Sequence, residues 1–250
     1  MTTSPLPRMS TEQARTVALE EYARFTDLLR DLDPQDWVSP TDCERWDVRA
    51  VADHVAGAAR MYASVGRTLA AQLNGWLLAR RLGLGEPLDG VNELQIRETA
   101  DLPVPQLIAF IEEWAPRVVE ARFSVPWPMR RIPAKGMGLT MPLVDLYAYV
   151  LTRDVWMHRV DIARAAGREL HLTPAHDGAL VADVVADWAG RHGRPFELEL
   201  TGPAGGTFGV GSADGEAGVV ERIEMDAVEF CRTISGRVTG SGLLAEPAMF

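Results

Sequence analysis

The stretch Thr152-Arg-Asp-Val-Trp-Met-His-Arg-Val-Asp-Ile-Ala-Arg-Ala-Ala-Gly167 decides the fold prediction. It continues an apolar pattern with the period of an α-helix, formed by Leu143, Leu146, Tyr147, Val150, Leu151, Val155 and Ile162. Thr140 is a suitable N-cap for this helix, and Gly167 stands where a helix commonly ends. We therefore predict one helix over about residues 140–167.

The same apolar spacing predicts three helices earlier in the chain, over about residues 10–32, 47–69 and 103–122. Prolines and glycines interrupt the pattern between them, most densely over residues 83–90. Four helices of this length that are joined by loops form a bundle. We place this bundle at residues 1–170.

The remaining part of the chain, residues 171–250, has shorter elements. The run Phe196-Glu-Leu-Glu-Leu-Thr201 alternates between apolar and polar residues, as a half-buried strand does. The predicted elements are a helix, three strands and a helix, over about residues 173–193, 196–201, 207–211, 219–225 and 226–236. The fold class is therefore α+β overall, with an N-terminal four-helix bundle and a small C-terminal α+β domain.

The composition excludes several classes of protein. Acidic residues outnumber basic residues 35 to 25, which gives a formal net charge of -10, whereas nucleic-acid-binding proteins usually carry a basic patch. No run of about 18 apolar residues could span a bilayer, and residues 1–8 lack the basic start and apolar core of a signal peptide. We therefore expect a cytoplasmic protein that binds neither nucleic acid nor membrane.

Three side chains of metal-binding types are predicted to point into the bundle. His54 shares the angular position of apolar residues on the second helix, while Asp154 and His158 lie four residues apart on one face of the fourth. Two imidazoles and one carboxylate form a recognised ligand set for a divalent metal with open positions. In the alternative interpretation, both histidines are hydrogen-bonded core residues and Asp154 pairs with Arg153 or Arg159.

Asp161 follows His158 by three residues on nearly the same face, where its carboxylate could orient a ring nitrogen of the histidine. Its alternative role is a surface ion pair with Arg164. The sequence contains neither a GxSxG motif nor a phosphate-binding glycine loop. Cys43 and Cys231 have no evident neighbouring base, so we interpret both cysteines as structural.

Two motifs resemble a known family. The run Trp46-Asp-Val-Arg-Ala-Val-Ala-Asp-His-Val-Ala-Gly57 resembles the second-helix motif of DinB-like bundles. Residues 152–167 resemble the last-helix motif of the mycothiol-dependent maleylpyruvate isomerase group, which also carries a small C-terminal α+β domain. The resemblance extends over the whole chain. It implies a divalent metal, usually zinc, that is bound by His54, by residue 154 and by His158.

The resemblance also implies an arginine of the C-terminal domain in the active site. Arg237 is the better match and is expected to be catalytic, with Arg232 as the second choice for binding the cofactor or substrate. A guanidinium group can bind a carboxylate through two hydrogen bonds. The isomerase group has a glutamate where this chain has Asp154, and this difference favours a transferase role over maleylpyruvate isomerisation itself.

The leading hypothesis is a metal-dependent enzyme that uses a low-molecular-weight thiol, mycothiol, as cosubstrate. Its reaction would be thiol transfer, addition or thiol-assisted isomerisation on a small electrophile, since a bound cation favours the reactive thiolate. Two alternatives stay open: a DinB-like protein that binds a metal or small ligand without turnover, and a metal-dependent hydrolase of a small amide or ester. The expected partners are the electrophile and the thiol, and a homodimer is one of the oligomeric states left open.

Overall fold

The computed structural model describes residues 6–136, 139–211 and 220–250. The chain divides into two compact units, of which the first is Ala14–Glu169. The second combines Leu170–Phe250 with the described residues of Met1–Gln13. A domain boundary near residue 170 stays a prediction. Within the described ranges, no helix is long and apolar enough to cross a membrane.

The first unit contains one large apolar core. Four long helices surround it and form the expected bundle, with Phe25, Val51, Ile111 and Ile162 fully buried between them. In chain order the helices are α1 (Thr11–Arg30), α2 (Val48–Tyr62), α3 (Val65–Leu82), α4 (Pro87–Thr99), α5 (Val104–Phe123), α6 (Leu143–Asp145) and α7 (Leu151–Ala165). The bundle itself consists of α1, α2, α5 and α7.

The helical hairpin of α3 and α4 was not expected from the sequence. The helix predicted over 47–69 ends at Tyr62, and the extended backbone of Ser64 separates it from α3. The segment predicted as a break contains the start of α4, because Pro87 suits the first turn of a helix. Gly90 is required there, since a Cβ atom at this position would overlap the backbone oxygen of Gly75 on α3.

Helix α2 packs against α4 with equally little space. A Cβ atom at Gly57 would overlap the backbone of Gln95 on α4. The side chain of Asp47 caps the start of α2 and accepts a hydrogen bond from the backbone nitrogen of Ala50 at 2.8 Å. These contacts fix the position and the rotation of α2 in the bundle.

The helix predicted over 140–167 begins later than expected. Residues Pro133–Gly136 (β1) and Leu139–Pro142 (β2) pair as an antiparallel hairpin, and α6 follows. A π-helical segment, Leu146–Val150, then leads directly into α7. The end agrees with the prediction, since Gly167 follows α7 with a positive φ of 62°.

The second unit is a small α+β structure, as predicted. Its elements are α8 (Ala179–His192), β3 (Phe196–Thr201), β4 (Gly206–Val210), β5 (Glu221–Asp226) and α9 (Ala227–Ile234). Strand β3 lies in the middle of the sheet, antiparallel to β4 and parallel to β5. The ring of Trp188 packs against Phe196 and Phe230 in its core. Val219, where the last strand was expected to begin, lies outside the described residues.

Candidate active site

The histidines of the two family motifs meet where α2 packs against α7. His54 on α2 and His158 on α7 are 6% and 4% exposed, and their ring centroids are 5.0 Å apart. The indole of Trp46, just before α2, lies against both rings, with centroid distances of 4.8 Å and 5.9 Å. Both histidine side chains therefore point into the bundle, which is the direction that their helical spacing indicates.

The carboxylate of Asp154 lies between the two histidines. Its Oδ2 atom is 3.5 Å from Nε2 of His54, and its Oδ1 atom is 3.4 Å from Nε2 of His158. Asp154 remains the accessible member of this group, with 25% of its side chain exposed. A ligand from solvent can therefore approach the group from the side of the carboxylate.

The distances within this group suit a shared metal ion better than direct hydrogen bonds. Hydrogen bonds between nitrogen and oxygen are typically about 2.7–3.2 Å long. Two donors that each lie about 2.0–2.2 Å from one tetrahedral zinc ion are separated by about 3.3–3.5 Å. The two measured separations fall in the second range, and all three donor atoms lie within 4.8 Å of one another. The residues present fit a divalent ion.

Asp161 holds the other side of the His158 ring. It is fully buried, and its Oδ2 atom is 3.0 Å from Nδ1 of His158. This contact directs Nε2 of the same ring toward Asp154, and the orienting role of Asp161 stays a prediction. The alternative partner, Arg164, instead contacts Asp42 at 3.4 Å.

The alternative interpretation of Asp154 also finds no support at Arg159. The guanidinium group of Arg159 is engaged by Glu21, with nitrogen–oxygen distances of 2.7 Å and 3.1 Å. Glu21 is itself completely buried on α1. The guanidinium group of Arg159 is thus held by Glu21.

The charges of this group shift two pKa values in opposite directions. Burial raises the pKa of Asp154, but its electrostatic attraction to His158 and His54 outweighs burial and holds this pKa well below its usual range. Burial lowers the pKa of His158, whereas the carboxylates of Asp154 and Asp161 together raise it well above its usual value. Without a metal, the charged pair of Asp154 and His158 is therefore the favoured state.

Cys43 is one residue that the sequence reasoning missed. Its half-buried thiol donates to Oδ2 of Asp161 at 3.6 Å, and it forms a compact group with Asp161 and His158. Cys43 lies in the irregular segment before α2, and no periodic pattern links it to α7. The expectation that no acid–base residue neighbours Cys43 was wrong.

Arg122 and the tyrosines near it are the second omission. Arg122 is 1% exposed in the last turn of α5, and Tyr22 on α1 is 5% exposed beside it. Burial raises the pKa of Tyr22 and of Tyr62, and the negative charge of Asp154 raises both further, so both hydroxyls stay protonated. A helix-end arginine in a sequence is normally taken as solvated, and no sequence signal marks this one as buried.

The two arginines of the second unit that were predicted to act in the site, Arg232 and Arg237, lie at the end of α9. Arg232 is buried in the last turn and forms an ion pair with Glu229, with Nη1 and Oε2 2.5 Å apart. Arg237 is half-buried in the turn that follows, where its backbone nitrogen donates to the carbonyl oxygen of Arg232 at 3.0 Å. Their roles stay predictions.

Comparisons with known proteins agree with this architecture. The chain resembles the crystal structure of the mycothiol-dependent maleylpyruvate isomerase with a TM-score of 0.54 and 19% identity, over 93% of this chain and 92% of that chain. It also resembles a histidine-to-alanine mutant of the mycothiol-dependent maleylpyruvate isomerase with a TM-score of 0.54 and 18% identity, over 92% and 91% of the two chains. At these identities, the similarity shows the fold alone. Among curated proteins, none matches this chain.

A family model identifies the chain more directly. The model described as the mycothiol maleylpyruvate isomerase N-terminal domain matches residues 18–163, which is more than half of the 250 residues. The match covers the whole of the first motif, residues 152–163 of the second, and all of α2, α5 and α7 except the last two residues of α7. It confirms the predicted family and, with it, the prediction of an enzyme. The chain belongs to the mycothiol maleylpyruvate isomerase N-terminal domain family.

Proposed function

We propose that this protein is a metal-dependent enzyme that uses mycothiol as cosubstrate for the isomerisation of, or transfer to, a small electrophile. The observation that carries the proposal is the spacing of Asp154 from the Nε2 atoms of His54 and His158, at 3.5 Å and 3.4 Å. The family, whose isomerase members use this thiol, supports it. A cytoplasmic location and the oligomeric state stay predictions.

The metal would be held by His54, Asp154 and His158, and zinc suits two imidazoles and one carboxylate. When bound, the ion favours the thiolate form of a thiol and polarises a carbonyl oxygen of the substrate. Asp161 fixes the ring of His158 so that Nε2, and not Nδ1, is directed to the site. Trp46 excludes water from one side of the two rings.

In the proposed isomerisation, the thiol of mycothiol is the nucleophile. Its sulfur adds to one carbon of an activated double bond, and the π electrons move to the conjugated carbonyl group. The resulting single bond rotates, the carbon–sulfur bond breaks, and the double bond re-forms with the opposite geometry. The thiolate is released unchanged, so neither an oxidant nor a net proton is needed.

Transfer is the second candidate reaction, and the side chain at position 154 favours it. In transfer, the carbon–sulfur bond persists and a leaving group departs with its electron pair. The isomerase motif has a glutamate where this chain has Asp154, and the shorter side chain changes where a ligand meets the carboxylate. We propose Arg237 as the residue of the C-terminal unit that binds a substrate carboxylate, with Arg232 as the second choice.

The test is turnover of a panel of small electrophiles with and without mycothiol. Loss of the cis isomer and consumption of the thiol are followed in parallel, in the metal-loaded enzyme and after chelation. We expect turnover only when both thiol and metal are present. Metal-dependent turnover without thiol would replace this proposal with a hydrolase, and tight ligand binding without turnover would indicate a binding protein.

A further inference from the structure

Arg122 is a buried cation whose charge no contact in the bundle compensates. Its Nε atom donates to the carbonyl oxygen of Tyr147 at 2.7 Å, and its Nη2 atom donates to the hydroxyl of Thr152 at 2.6 Å. Its third nitrogen, Nη1, has no hydrogen-bond partner among residues 6–136, 139–211 and 220–250. Over the same ranges, Arg122 makes no ion pair with a carboxylate.

Arg159 is a buried guanidinium group of the same bundle that does have a carboxylate partner. It is 3% exposed, and Glu21 binds it through two hydrogen bonds and neutralises it. A buried charge without such a partner is costly. The partners of Arg122 are all uncharged: the carbonyl oxygen of Tyr147 and the hydroxyls of Thr152 and Tyr22. Such acceptors need only N–H donors, so they do not explain why a full positive charge is kept there.

The surroundings of Arg122 connect it to the candidate metal site. The charge of Asp154 raises the pKa of Arg122, against the larger lowering effect of burial, so the two groups interact electrostatically. The geometry agrees, because the Nη2 atom of Arg122 donates to Thr152, which lies two residues before Asp154 at the start of α7. Asp154 is itself directed to the two histidines. The charge of Arg122 is therefore felt at the accessible end of the site, inside a medium that screens charges poorly.

We propose that Arg122 is a specificity-determining residue whose positive charge favours an electrophile with a free carboxylate over an uncharged one. The proposal rests on the proposed function, because it assumes that the electrophile binds beside Asp154. Arg122 acts through its field, and its three nitrogen atoms need not touch the ligand. Because the protein interior screens charges poorly, we expect the charged ligand to be favoured by about 10-fold.

The test measures binding of maleate and of dimethyl maleate by calorimetry, without thiol, to metal-loaded and to metal-free protein. Arg122→Gln removes the charge but keeps an N–H donor, and Arg122→Lys keeps the charge without the guanidinium fork. We expect wild type and Arg122→Lys to prefer maleate, and Arg122→Gln to lose about 10-fold of this preference. Arg159→Gln is the matched control, since it should lower thermal stability and leave the preference unchanged.

Several outcomes would overturn the proposal. An Arg122→Gln protein that keeps the preference within about twofold would do so, as would equal loss in the Gln and Lys variants, because that result indicates a structural role of the fork. The inference can be refuted even if Arg122→Gln does not fold. Either of two results would do so: equal binding of maleate and dimethyl maleate by the wild-type protein, or equal binding of the two by Arg122→Lys. The binding measurement is made without thiol. If thiol-dependent turnover is not found, the proposed function is contradicted, but the binding preference can still be measured and interpreted.

Discussion

The two sides of helix α2 differ in how closely they pack against their neighbours. Toward α4, Gly57 lets two backbones touch, and no side chain intervenes. Toward α7, His54 faces Asp154 and His158 across separations that are too long for good hydrogen bonds. One side is packed closely for stability, while the other leaves polar atoms at distances that only a further ligand would satisfy.

This difference indicates how a site with poorly satisfied groups persists in a marginally stable protein. Buried polar groups without close partners cost free energy, and close packing elsewhere in the same helix offsets that cost. Substitutions on the two sides should therefore have separable effects. On the α7 side they should change metal binding and activity, and on the α4 side they should change stability.

The largest effect is expected for His54→Ala. Because this change removes one of three metal-binding side chains, we expect loss of bound metal and a fall in turnover of about 1,000-fold or more. The melting temperature of the metal-free protein should hardly fall. The measurements are elemental analysis, thiol consumption and thermal unfolding, with the exposed His171 changed to Ala as the control. Unchanged metal content would contradict the assignment.

The next effect is expected for Gly57→Ala on the opposite side of the same helix. The added methyl group overlaps the backbone of Gln95, so we expect the free energy of unfolding to fall by about 3 kcal/mol. Turnover per folded molecule should stay near that of wild type. Gly66→Ala on α3 is the matched control, because the nearest atom to an added Cβ there is Oγ of Ser64 at 3.8 Å, an ordinary van der Waals contact. At this position alanine should stabilise the protein by up to about 1 kcal/mol. If Gly57→Ala were as stable as the wild type, the proposed difference between the two sides of α2 would be contradicted.

A smaller effect is expected for Asp161→Asn, which keeps the size of the side chain that holds His158. The amide is a weaker partner for Nδ1, so metal affinity should fall by about 10- to 100-fold. Competition with a chromophoric chelator measures it. Asp42→Asn, which alters the surface ion pair with Arg164, should leave the affinity unchanged, and equal losses in both variants would argue against an orienting role of Asp161.

The smallest effect concerns the pH dependence of the metal-free protein. The pKa of Asp154 is lower in the folded protein than in the unfolded chain, where it is about 3.9. The ionised carboxylate therefore stabilises the fold above about pH 3.9, and this stabilisation is lost as the pH falls through the folded pKa. The raised pKa of His158 contributes stability that is complete below about 6.5 and is lost as the pH rises through the folded pKa. The free energy of unfolding should therefore be greatest between about pH 3.9 and about pH 6.5, and it should be about 1 kcal/mol lower well outside this interval. Denaturant titrations of wild type and Asp154→Asn test this, and a variant with the same pH profile would contradict it.

The sequence was sufficient for the side of α2 that faces α7. His54, Asp154 and His158 stand at helical spacing among apolar residues, and Asp161 lies one turn away from the histidine that it contacts. Periodicity reports the direction of a side chain within its own helix, and this is all that such a prediction requires.

The sequence was not sufficient where two segments approach each other. Gly57 and Gly90 serve close backbone contacts that depend on the position of another helix, so a glycine in the sequence resembles a break. Cys43 reaches Asp161 across 118 positions of sequence. Arg122 lies at a helix end, where cations are usually solvated, and only the packing of α1 and α7 around it reveals its burial.

The π-helical segment Leu146–Val150 has a consequence for comparing this chain with its relatives. A π turn is equivalent to one extra residue inserted into an α-helix. Residues before and after it therefore face directions that differ by about 100° from those of an uninterrupted helix. A pairwise alignment with a relative that has a regular helix here needs a one-residue gap between Leu146 and Leu151. Without that gap, every upstream position, including Asp145, would be assigned to the wrong counterpart.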